Sequence, residues 1–474
     1  MVTLRRPETG APLADQIAIA RTVTVAAGVF APGHLGELTR LVPFEMVDEV
    51  LATTGRTQSR VRLLPARVVM YLLLAGCLFA ELGYRQVWSK LTSGLHTLPI
   101  VAPSGSALRQ ARQRLGPQPV RTLFDLLRGP AATVATHVRW RGMLLTVIDG
   151  TTLVVADSAA NTGRYTKQRG ANGGSGYPQL RLSALLSCGT RSVIDAVFDP
   201  VSVGELDQAR ALARSLRPGM LLLADRNYAA ADLLTTLAAT GSDLLIRCKN
   251  GRRLPMIGRL HDGSWLSTIG ALAIRVVEAQ INITTTAGTH TGHYRLLTTL
   301  LDPHTYPAAE LIRLYHQRWE IETAYLELKS SILSGRVLRA RTPDGIQQEL
   351  YALLIVYQLL RTAMVDATDS QPDLDPDRAS FTTALNTARD QIVHAAGVIA
   401  DTAIDLVGVI GTHVLAHLLP DRRIRVKTRM IKRSNSKYQP AAPTSTDAPT
   451  KPLPASTSSA PTLDSHHTAL TERR

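Results

Sequence analysis

The chain has 474 residues, of which 45% are hydrophobic, so it is long enough to form two or three domains with substantial cores. It carries 53 basic and 38 acidic residues, a formal net charge of +15, and its pI is near 10.1. Such a surplus favours a polyanionic partner, nucleic acid before an anionic membrane. Three widely spaced cysteines exclude a zinc ribbon or a disulfide framework and suit a reducing cytosol.

The start of the chain and its most apolar run bear on localisation. MVTLRRPETGAPLADQ has no apolar stretch behind its arginines, so we expect no signal peptide. The run VVMYLLLAGCLFA (68–80) is shorter than the ~20 residues that cross a bilayer, and it is predicted to be a buried helix. We therefore expect a cytoplasmic protein without a membrane partner.

The region 35–135 is predicted to form an α-helical domain, because its apolar residues recur with helical spacing. Within it, SALRQARQRLG (106–116) is a predicted helix with Ser106 as its candidate N-cap. Arg109 and Arg112 on this helix are candidate phosphate contacts. A solvated basic face is the alternative interpretation.

From about residue 140 the pattern changes to that of an α/β domain. RGMLLTVIDGTTLVVAD is predicted as a strand broken at Asp149-Gly150, and two further strands complete a meander. A helix, the buried strand in GMLLLAD, another helix and the strand DLLIRC follow. This order indicates a mixed β-sheet flanked by helices. Residues 249–305 contain short β-like runs and no clear helix, and are predicted to be a β-rich insertion.

Helical periodicity resumes at 307–333 and 345–365, and 366–377 is predicted to be an acidic loop. The last segment begins with seven basic residues in twelve and continues in Pro, Ser, Thr and Ala, a composition typical of a disordered tail. Its basic run either binds phosphates or keeps the terminus soluble. The sequence thus divides into four predicted regions: an N-terminal extension (1–34), a helical domain (35–135), an α/β domain (136–420) and a basic segment with tail (421–474).

The stretch YHQRWEIETAYLELKS holds three glutamates that differ in their predicted surroundings. On a regular helix, four side chains fall within a stripe about 60° wide: Tyr315, Arg318, Glu322 and Lys329. A neighbouring apolar band should face the sheet, which would place this stripe at the rim of the packed interface. Glu320 and Glu327 fall on the opposite side and are predicted to form a solvated face.

Two aspartates stand at or near the ends of predicted strands. Asp149 follows LLTVI and precedes a glycine, and Asp225 follows LLLA and precedes Arg226. Together with Glu322 they could supply three carboxylates to two Mg²⁺ ions, hard cations that prefer oxygen ligands. Such a pair of ions activates an attacking oxygen and stabilises the leaving oxygen in phosphoryl transfer. For an isolated aspartate, a turn residue or helix cap is the alternative.

The helix spacing resembles the Y-x2-R-x3-E-x6-K signature of the insertion-sequence-four family of bacterial DDE transposases. VIDGTTLVVAD resembles the strand that carries the family's first aspartate, and LLADRNY resembles the second. GSGYPQLRL and SALRQARQRLG also resemble family segments, and the resemblance spans roughly residues 35–365. It implies an RNase H-like mixed β-sheet core flanked by helices, with a β-rich insertion and an N-terminal α-helical DNA-binding domain.

By this resemblance Asp149, Asp225 and Glu322 would be the catalytic triad and would bind two Mg²⁺ ions, for which Mn²⁺ can substitute. The residues expected to contact DNA are Tyr315, Arg318, Lys329, Arg109, Arg112, Arg226 and Trp265. Trp265, the one tryptophan of the predicted insertion, is assigned to a flipped base.

Family members cut and paste DNA at terminal inverted repeats. Water attacks at the element's end, and the freed 3′-hydroxyl forms a hairpin and later attacks target DNA. We expect a homodimer on double-stranded DNA, associated with the bacterial nucleoid.

Two other functions stay open at this point. One is a non-catalytic DNA-binding protein derived from a transposase, and the other is a general RNase H-type nuclease that needs no specific ends. The glycine-rich run RGANGGSGYP lacks the pattern of an NTPase phosphate loop. His413 and His417 lack the glutamate of a zinc protease motif, so a plain helix face is preferred.

Overall fold

A computed structural model of the chain describes residues 34–58, 64–95, 100, 102–131, 139–170, 173–285, 288–371, 374–394 and 408–420. The predicted N-terminal extension, apart from His34, and the predicted basic segment and tail lie outside these residues. The described chain forms two compact units. The first runs to Ile246 and resumes at Leu314, and the second is Arg247–Arg313.

The N-terminal part of the first unit is helical, as predicted. Its described α-helices are α1 (Phe44–Thr53), α2 (Ala66–Leu78), α3 (Tyr84–Thr92), α4 (Gly105–Leu115) and α5 (Gln118–Leu127). All but one residue of α2 is buried, which confirms the predicted buried helix. α4 begins earlier than expected: Ser104, rather than Ser106, accepts a hydrogen bond from the Ala107 N–H and caps the helix.

A mixed sheet with flanking helices forms the rest of the first unit up to Ile246. Its described strands are β1 (Arg139–Trp140), β2 (Met143–Val154), β3 (Lys167–Gly170), β4 (Gly173–Ser187), β5 (Val193–Pro200), β6 (Met220–Ala224) and β7 (Asp243–Cys248). The described helices among them are α6 (Ala159–Arg164), α7 (Glu205–Leu212) and α8 (Ala231–Ala238).

The pairing of these strands confirms the predicted meander and the predicted mixed sheet. β2, β4 and β5 pair antiparallel, whereas β2 pairs with β6, and β6 with β7, in parallel. The predicted break at Asp149-Gly150 is wrong, since β2 is one continuous strand. Both residues stay in extended backbone because they pair with Ala184 and Ser183 of β4.

The second unit is β-rich, which confirms the predicted insertion. Its strands are β8 (Gly258–Arg259), β9 (Trp265–Ile269), β10 (Leu272–Thr285) and β11 (Gly288–Thr298), joined in antiparallel register. Arg275 is fully buried in this unit, where it pairs with Asp262 and donates to the Tyr306 carbonyl oxygen at 2.7 Å. A buried charge of this kind is tolerated because it is paired and hydrogen-bonded.

Helices dominate the chain after the second unit's strands. They are α9 (Ala308–Tyr315), a 3₁₀ turn (His316–Trp319), α10 (Glu320–Leu326), a π-helical segment (Glu327–Ile332), α11 (Pro343–Asp369), α12 (Phe381–Val393) and α13 (Gly408–Ala416). The predicted loop at 366–377 therefore starts too early, because α11 continues to Asp369.

α11 is the central helix of the first unit's core. It packs against α2, α5 and α13, and its middle turns are buried on all sides. Among the described helices it alone is long and apolar enough to cross a membrane, and 78% of its most apolar window is buried inside the protein. Such burial is typical of a core helix.

Candidate active site

The parallel pairing of β2 with β6 brings Asp149 and Asp225 to the same end of the sheet. Val147 of β2 pairs with Leu223 of β6, and each aspartate lies two residues further along its own chain. Parallel strands present their carboxyl ends at a common edge, which is where α/β sheets form their ligand sites. The sheet register, rather than sequence proximity, therefore brings these two carboxylates together.

Both aspartates are held by backbone N–H groups. Asp225 caps the turn after β6, and its Oδ1 accepts a hydrogen bond from the Asn227 N–H at 2.8 Å. Oδ1 of Asp149 accepts one from the Gly150 N–H, also at 2.8 Å. Burial raises the pKa of Asp149 to about 7, and the nearby carboxylates of Asp225 and Glu205 add to the rise.

Arg318 links Asp149 to Glu322. Its Nη1 lies 4.0 Å from Asp149 Oδ2, and its Nη2 donates to Glu322 Oε1 at 3.3 Å. The Arg318 side chain is only 12% exposed, whereas that of Glu322 is 34% exposed. One largely buried guanidinium thus connects the carboxylate on β2 with the carboxylate on α10.

The donor set suits a hard divalent cation, since Asp149, Asp225 and Glu322 offer only carboxylate oxygens. Within the described part of the chain, however, no three metal-ligating side chains lie close enough together to hold an ion. The positive charge that lies between the Asp149 and Glu322 carboxylates is the guanidinium of Arg318. These residues fit Mg²⁺ or Mn²⁺ by donor type and charge.

Tyr315 and Lys329 tie the helical segment to β6, which precedes Asp225, and to β2, which contains Asp149. Tyr315 is buried, and its hydroxyl donates to the Ala224 carbonyl oxygen at 3.0 Å. Lys329 Nζ donates to Thr151 Oγ1 at 3.2 Å and to the Thr152 carbonyl oxygen at 3.0 Å. Burial lowers the pKa of Lys329. The predicted stripe therefore faces the sheet edge, and its contact with DNA stays a prediction.

The other predicted DNA contacts lie in different parts of the chain. Arg109 is exposed on α4, and Arg112 stacks on the Tyr84 ring at 3.9 Å. Arg226 is exposed in the turn that Asp225 caps. Trp265 belongs to the second unit, where its ring is buried in β9. Their roles toward DNA stay predictions.

The predicted solvated face of Glu320 and Glu327 is wrong. Glu320 is fully buried and Glu327 is 8% exposed, and both pair with Arg191. The segment is not a regular helix, because it passes from a 3₁₀ turn through α10 into a π-helical segment. Helical phase calculated at a constant 100° per residue does not hold through such changes, and the cation that neutralises both glutamates comes from a distant turn.

Sequence reasoning also missed Glu205, at the start of α7. Its Oε1 accepts a hydrogen bond from the Tyr228 hydroxyl at 3.2 Å. A Cβ at Gly150 would lie only 2.6 Å from the same oxygen, so the glycine leaves room for this carboxylate beside Asp149. The only sequence signal is an acidic residue in the first turn of a helix, which is common for its favourable interaction with the helix dipole.

Tyr325 is a second residue that sequence reasoning missed. Its hydroxyl donates to the Asp149 carbonyl oxygen at 2.6 Å and accepts from the Ala184 N–H at 3.1 Å. This bond reaches across the β2–β4 pair from α10, the helix that carries Glu322. The backbone of Asp149 is thus fixed from the same helix that provides the third carboxylate.

Two family profiles match the chain. The profile described as "Insertion element 4 transposase N-terminal" matches residues 32–125, and that described as "Transposase DDE domain" matches residues 140–359. The chain belongs to the insertion element 4 family of DDE transposases. Its mixed sheet, with a meander followed by parallel strands, is accordingly the RNase H-like core of a DDE domain. Family membership makes it a DNA transposase, an enzyme class that binds and cleaves DNA and generally uses divalent metal ions.

Curated relatives agree with this assignment. The transposase is 26% identical over 413 residues to "Transposase InsG for insertion sequence element IS4" of Escherichia coli (strain K12), covering 84% of this chain and 92% of that protein. It is 27% identical over 210 residues to "Putative transposase InsZ" of the same strain, covering 42% of this chain and 66% of that protein.

The chain also matches a solved structure, the cryo-EM structure of a piggyBac transposase synaptic complex with hairpin DNA. The match covers 81% of this chain and 86% of the piggyBac chain, with a TM-score of 0.40 and 11% identity.

Proposed function

We propose that this transposase moves its element by a cut-and-paste reaction. It would bind the element's terminal inverted repeats, cleave at the ends and join the freed 3′-hydroxyl to target DNA. The observation that supports this most is the arrangement of Asp149, Asp225 and Glu322, two at one edge of the sheet and the third linked to Asp149 through Arg318.

Asp149, Asp225 and Glu322 would hold two divalent ions, Mg²⁺ or Mn²⁺. When bound, such ions activate the attacking oxygen and stabilise the leaving oxygen of an in-line phosphoryl transfer. Gly150 N–H and Asn227 N–H each hold one carboxylate oxygen and orient the two aspartates.

Arg318 and Lys329 would position DNA phosphates beside the three carboxylates. A guanidinium suits phosphate because its planar donors can bind two oxygens at once, and an ammonium acts as a point charge. Tyr315, whose hydroxyl bonds to the Ala224 carbonyl oxygen, would keep this segment against the strand that precedes Asp225.

In the proposed sequence of steps, water first breaks the phosphodiester bond at the element's end and leaves a 3′-hydroxyl. That hydroxyl then attacks the opposite strand to form a hairpin, which a second water opens before the end is joined to target DNA. Two ends need two active sites, so we propose a homodimer on DNA, in the bacterial cytoplasm and associated with the nucleoid.

The decisive experiment uses the full chain and a duplex that carries the element's own terminal repeats, read from the DNA that flanks the gene. A duplex of equal length and composition with scrambled ends is the control. We expect Mg²⁺-dependent cleavage at the repeat ends, a hairpin product on a denaturing gel, and no cleavage of the scrambled duplex.

Each alternative function gives a different result. Binding of the repeat duplex without cleavage, in Mg²⁺ and in Mn²⁺, would indicate a non-catalytic DNA-binding protein. Equal cleavage of both duplexes would indicate a general nuclease. Light scattering of the protein–repeat complex tests the dimer, and one chain per complex would contradict it.

A further inference from the structure

Arg191 is a buried arginine at the turn between β4 and β5, far from Glu322 in sequence. Its side chain is 6% exposed, and its backbone has φ +55°, a conformation that non-glycine residues seldom adopt. Neither a buried charge nor this backbone geometry is favourable by itself. Contacts made by the side chain must therefore offset both costs.

The guanidinium of Arg191 contacts three carboxylates. Its Nε pairs with Glu320, its Nη1 donates to Glu327 Oε1 at 3.2 Å, and its Nη2 pairs with Asp377. The three carboxylates pair with three different nitrogens of the planar guanidinium, an arrangement that the single nitrogen of an ammonium does not reproduce.

Two of these carboxylates lie on either side of Glu322 in the same helical segment. Glu320 precedes Glu322 by two residues, and Glu327 follows it by five. Glu327 lies in the π-helical segment and is held from a second direction by Arg361 and by the Tyr357 hydroxyl, which donates to its Oε2 at 3.1 Å. The segment that presents Glu322 is thus fixed on both sides of that residue.

Arg191 also connects the helical segment that carries Glu322 to the strands. Arg191 follows β4, the strand that pairs with β2 across Asp149. The Tyr357 hydroxyl oxygen also lies 3.2 Å from the Arg191 carbonyl oxygen, so the same turn packs against α11. Movement of Glu322 relative to Asp149 would therefore require breaking ion pairs in the protein interior.

We propose that Arg191 is a positioning residue that, through Glu320 and Glu327, fixes Glu322 at the distance from Asp149 that DNA cleavage requires. This inference rests on the proposed function, because it presumes that Glu322 takes part in cleavage. Arg191 itself does not touch DNA or the reacting atoms. Its removal should lower the rate of the chemical step and leave DNA affinity unchanged.

Arg339 provides a matched control. It too is a largely buried arginine of the first unit paired with a glutamate, its Nε donating to Glu349 Oε1 at 3.0 Å. It also bonds to the carbonyl oxygens of Leu82 and Gly76, and it has no contact with Glu320, Glu322 or Glu327 in the described structure. Arg339→Gln should lower stability without displacing the segment that carries Glu322.

The test compares wild type, Arg191→Gln, Arg191→Lys and Arg339→Gln in the full chain, at a temperature well below each melting point. Arg191→Gln should reduce single-turnover cleavage of the repeat duplex at least tenfold, with a DNA Kd within twofold of wild type. The cleavage rate of Arg191→Lys should lie between those of wild type and Arg191→Gln, and Arg339→Gln should cleave at the wild-type rate. A cleavage rate of Arg191→Gln within twofold of that of Arg339→Gln would overturn the inference.

Hydrogen exchange gives a readout that needs no activity. Peptides spanning 316–332 should exchange at least fivefold faster in Arg191→Gln than in wild type and at an unchanged rate in Arg339→Gln. Unchanged exchange in Arg191→Gln would overturn the inference even if cleavage fell. If the wild type cleaves no duplex, the proposed function fails, and the exchange rates still decide whether Arg191 fixes this segment.

A second variant covers the case in which Arg191→Gln does not fold. Glu320→Gln leaves Arg191 paired with Glu327 and Asp377, so it should fold, exchange faster over 316–332 and cleave more slowly. Where both single variants fold, Arg191→Gln combined with Glu320→Gln should cleave no more slowly than Arg191→Gln alone. If the fold-losses in cleavage rate of the two single variants multiply in the double variant, Arg191 and Glu320 do not act through the same ion pair.

Discussion

Nη1 of Arg318 lies 4.0 Å from Oδ2 of Asp149, just beyond the last paired residues of β2 and β6. The same guanidinium donates to Glu322, so one cation is shared by two members of the proposed triad. Because Mg²⁺ would be attracted to the same carboxylates, the charge of Arg318 and that of the metal compete. This relationship makes the metal response of the protein testable without DNA.

We predict that Arg318→Ala increases the stabilisation that Mn²⁺ provides. Without the guanidinium, Asp149 and Glu322 lose their shared cation, so the metal-free variant should melt at a lower temperature than wild type at pH 8. Saturating Mn²⁺ should then raise the melting temperature of the variant by more than that of wild type. Differential scanning fluorimetry measures both values. Arg313→Ala, at an exposed position on α9, is the control. An equal Mn²⁺ response in Arg318→Ala and wild type would show that Arg318 does not compete with the metal.

The raised pKa of Asp149 predicts a pH-dependent stability. Between its ordinary value of 3.8 and about 7, the folded chain keeps a proton that the unfolded chain has lost. Stability of the metal-free protein should therefore fall as pH rises through this window. Each pKa unit between the folded and unfolded values corresponds to about 1.4 kcal/mol in the free energy of unfolding.

Asp149→Asn removes this titration, so it should melt above wild type at pH 8 and show a smaller fall between pH 4 and 7. A fall of lesser size should remain, because burial also raises the pKa of Asp377 to about 6. Asp157→Asn, at an exposed carboxylate paired with Lys167, is the control. Parallel melting curves for wild type and Asp149→Asn across pH 4 to 8 would disprove the linkage.

Gly150 and Glu205 should be energetically coupled. A methyl group at Gly150 would meet Glu205 Oε1 at 2.6 Å, and displacing that carboxylate leaves the buried Tyr228 hydroxyl without its acceptor. We expect Gly150→Ala to lower the free energy of unfolding by about 1–2 kcal/mol. In a Glu205→Ala background the same change should cost much less.

Urea unfolding of the four proteins in this cycle measures the coupling. Gly163→Ala, on α6 where nothing lies within 4 Å of the added carbon, should not lower stability. Additive costs of Gly150→Ala and Glu205→Ala would mean that the carboxylate does not constrain position 150.

Lys329 has two possible roles, and salt dependence separates them. If it contacts a DNA phosphate, Lys329→Gln should weaken binding and reduce the slope of log K against log salt by about 1. If it only joins the π-helical segment to Thr151 and Thr152, the variant should lose thermal stability while its salt slope stays unchanged. Fluorescence anisotropy with the repeat duplex at several salt concentrations distinguishes the two, and we expect the reduced slope.

Much of the fold followed from local sequence patterns. The apolar run around α2, the meander and the β-rich second unit have periodicity and turn residues that determine them over a few positions. The apolar runs before Asp149 and Asp225 marked both residues as candidates, whereas the sheet register that brings them together was not predicted. The predicted break at Asp149-Gly150 was wrong because the pairing of β2 with β4 at these residues could not be read from the sequence.

The surroundings of the three glutamates could not be predicted in this way. Whether Glu320 is solvated depends on Arg191, which lies 129 residues away in sequence and reaches it only through the β4–β5 turn. Glu205 approaches Asp149 because Gly150 leaves space for it, a property of packing and not of spacing. Buried ion pairs depend on tertiary structure, so a charged residue in a helical pattern does not by itself indicate a solvated face.

Single-turnover cleavage of the repeat duplex in Mg²⁺ tests most directly whether Asp149, Asp225 and Glu322 act together in DNA cleavage. Asp149→Asn, Asp225→Asn and Glu322→Gln should each reduce the cleavage rate at least a thousandfold while still binding the duplex. Asp157→Asn and Asp207→Asn, at exposed carboxylates, should cleave at the wild-type rate. Wild-type cleavage by any one of the three triad variants would contradict the assignment.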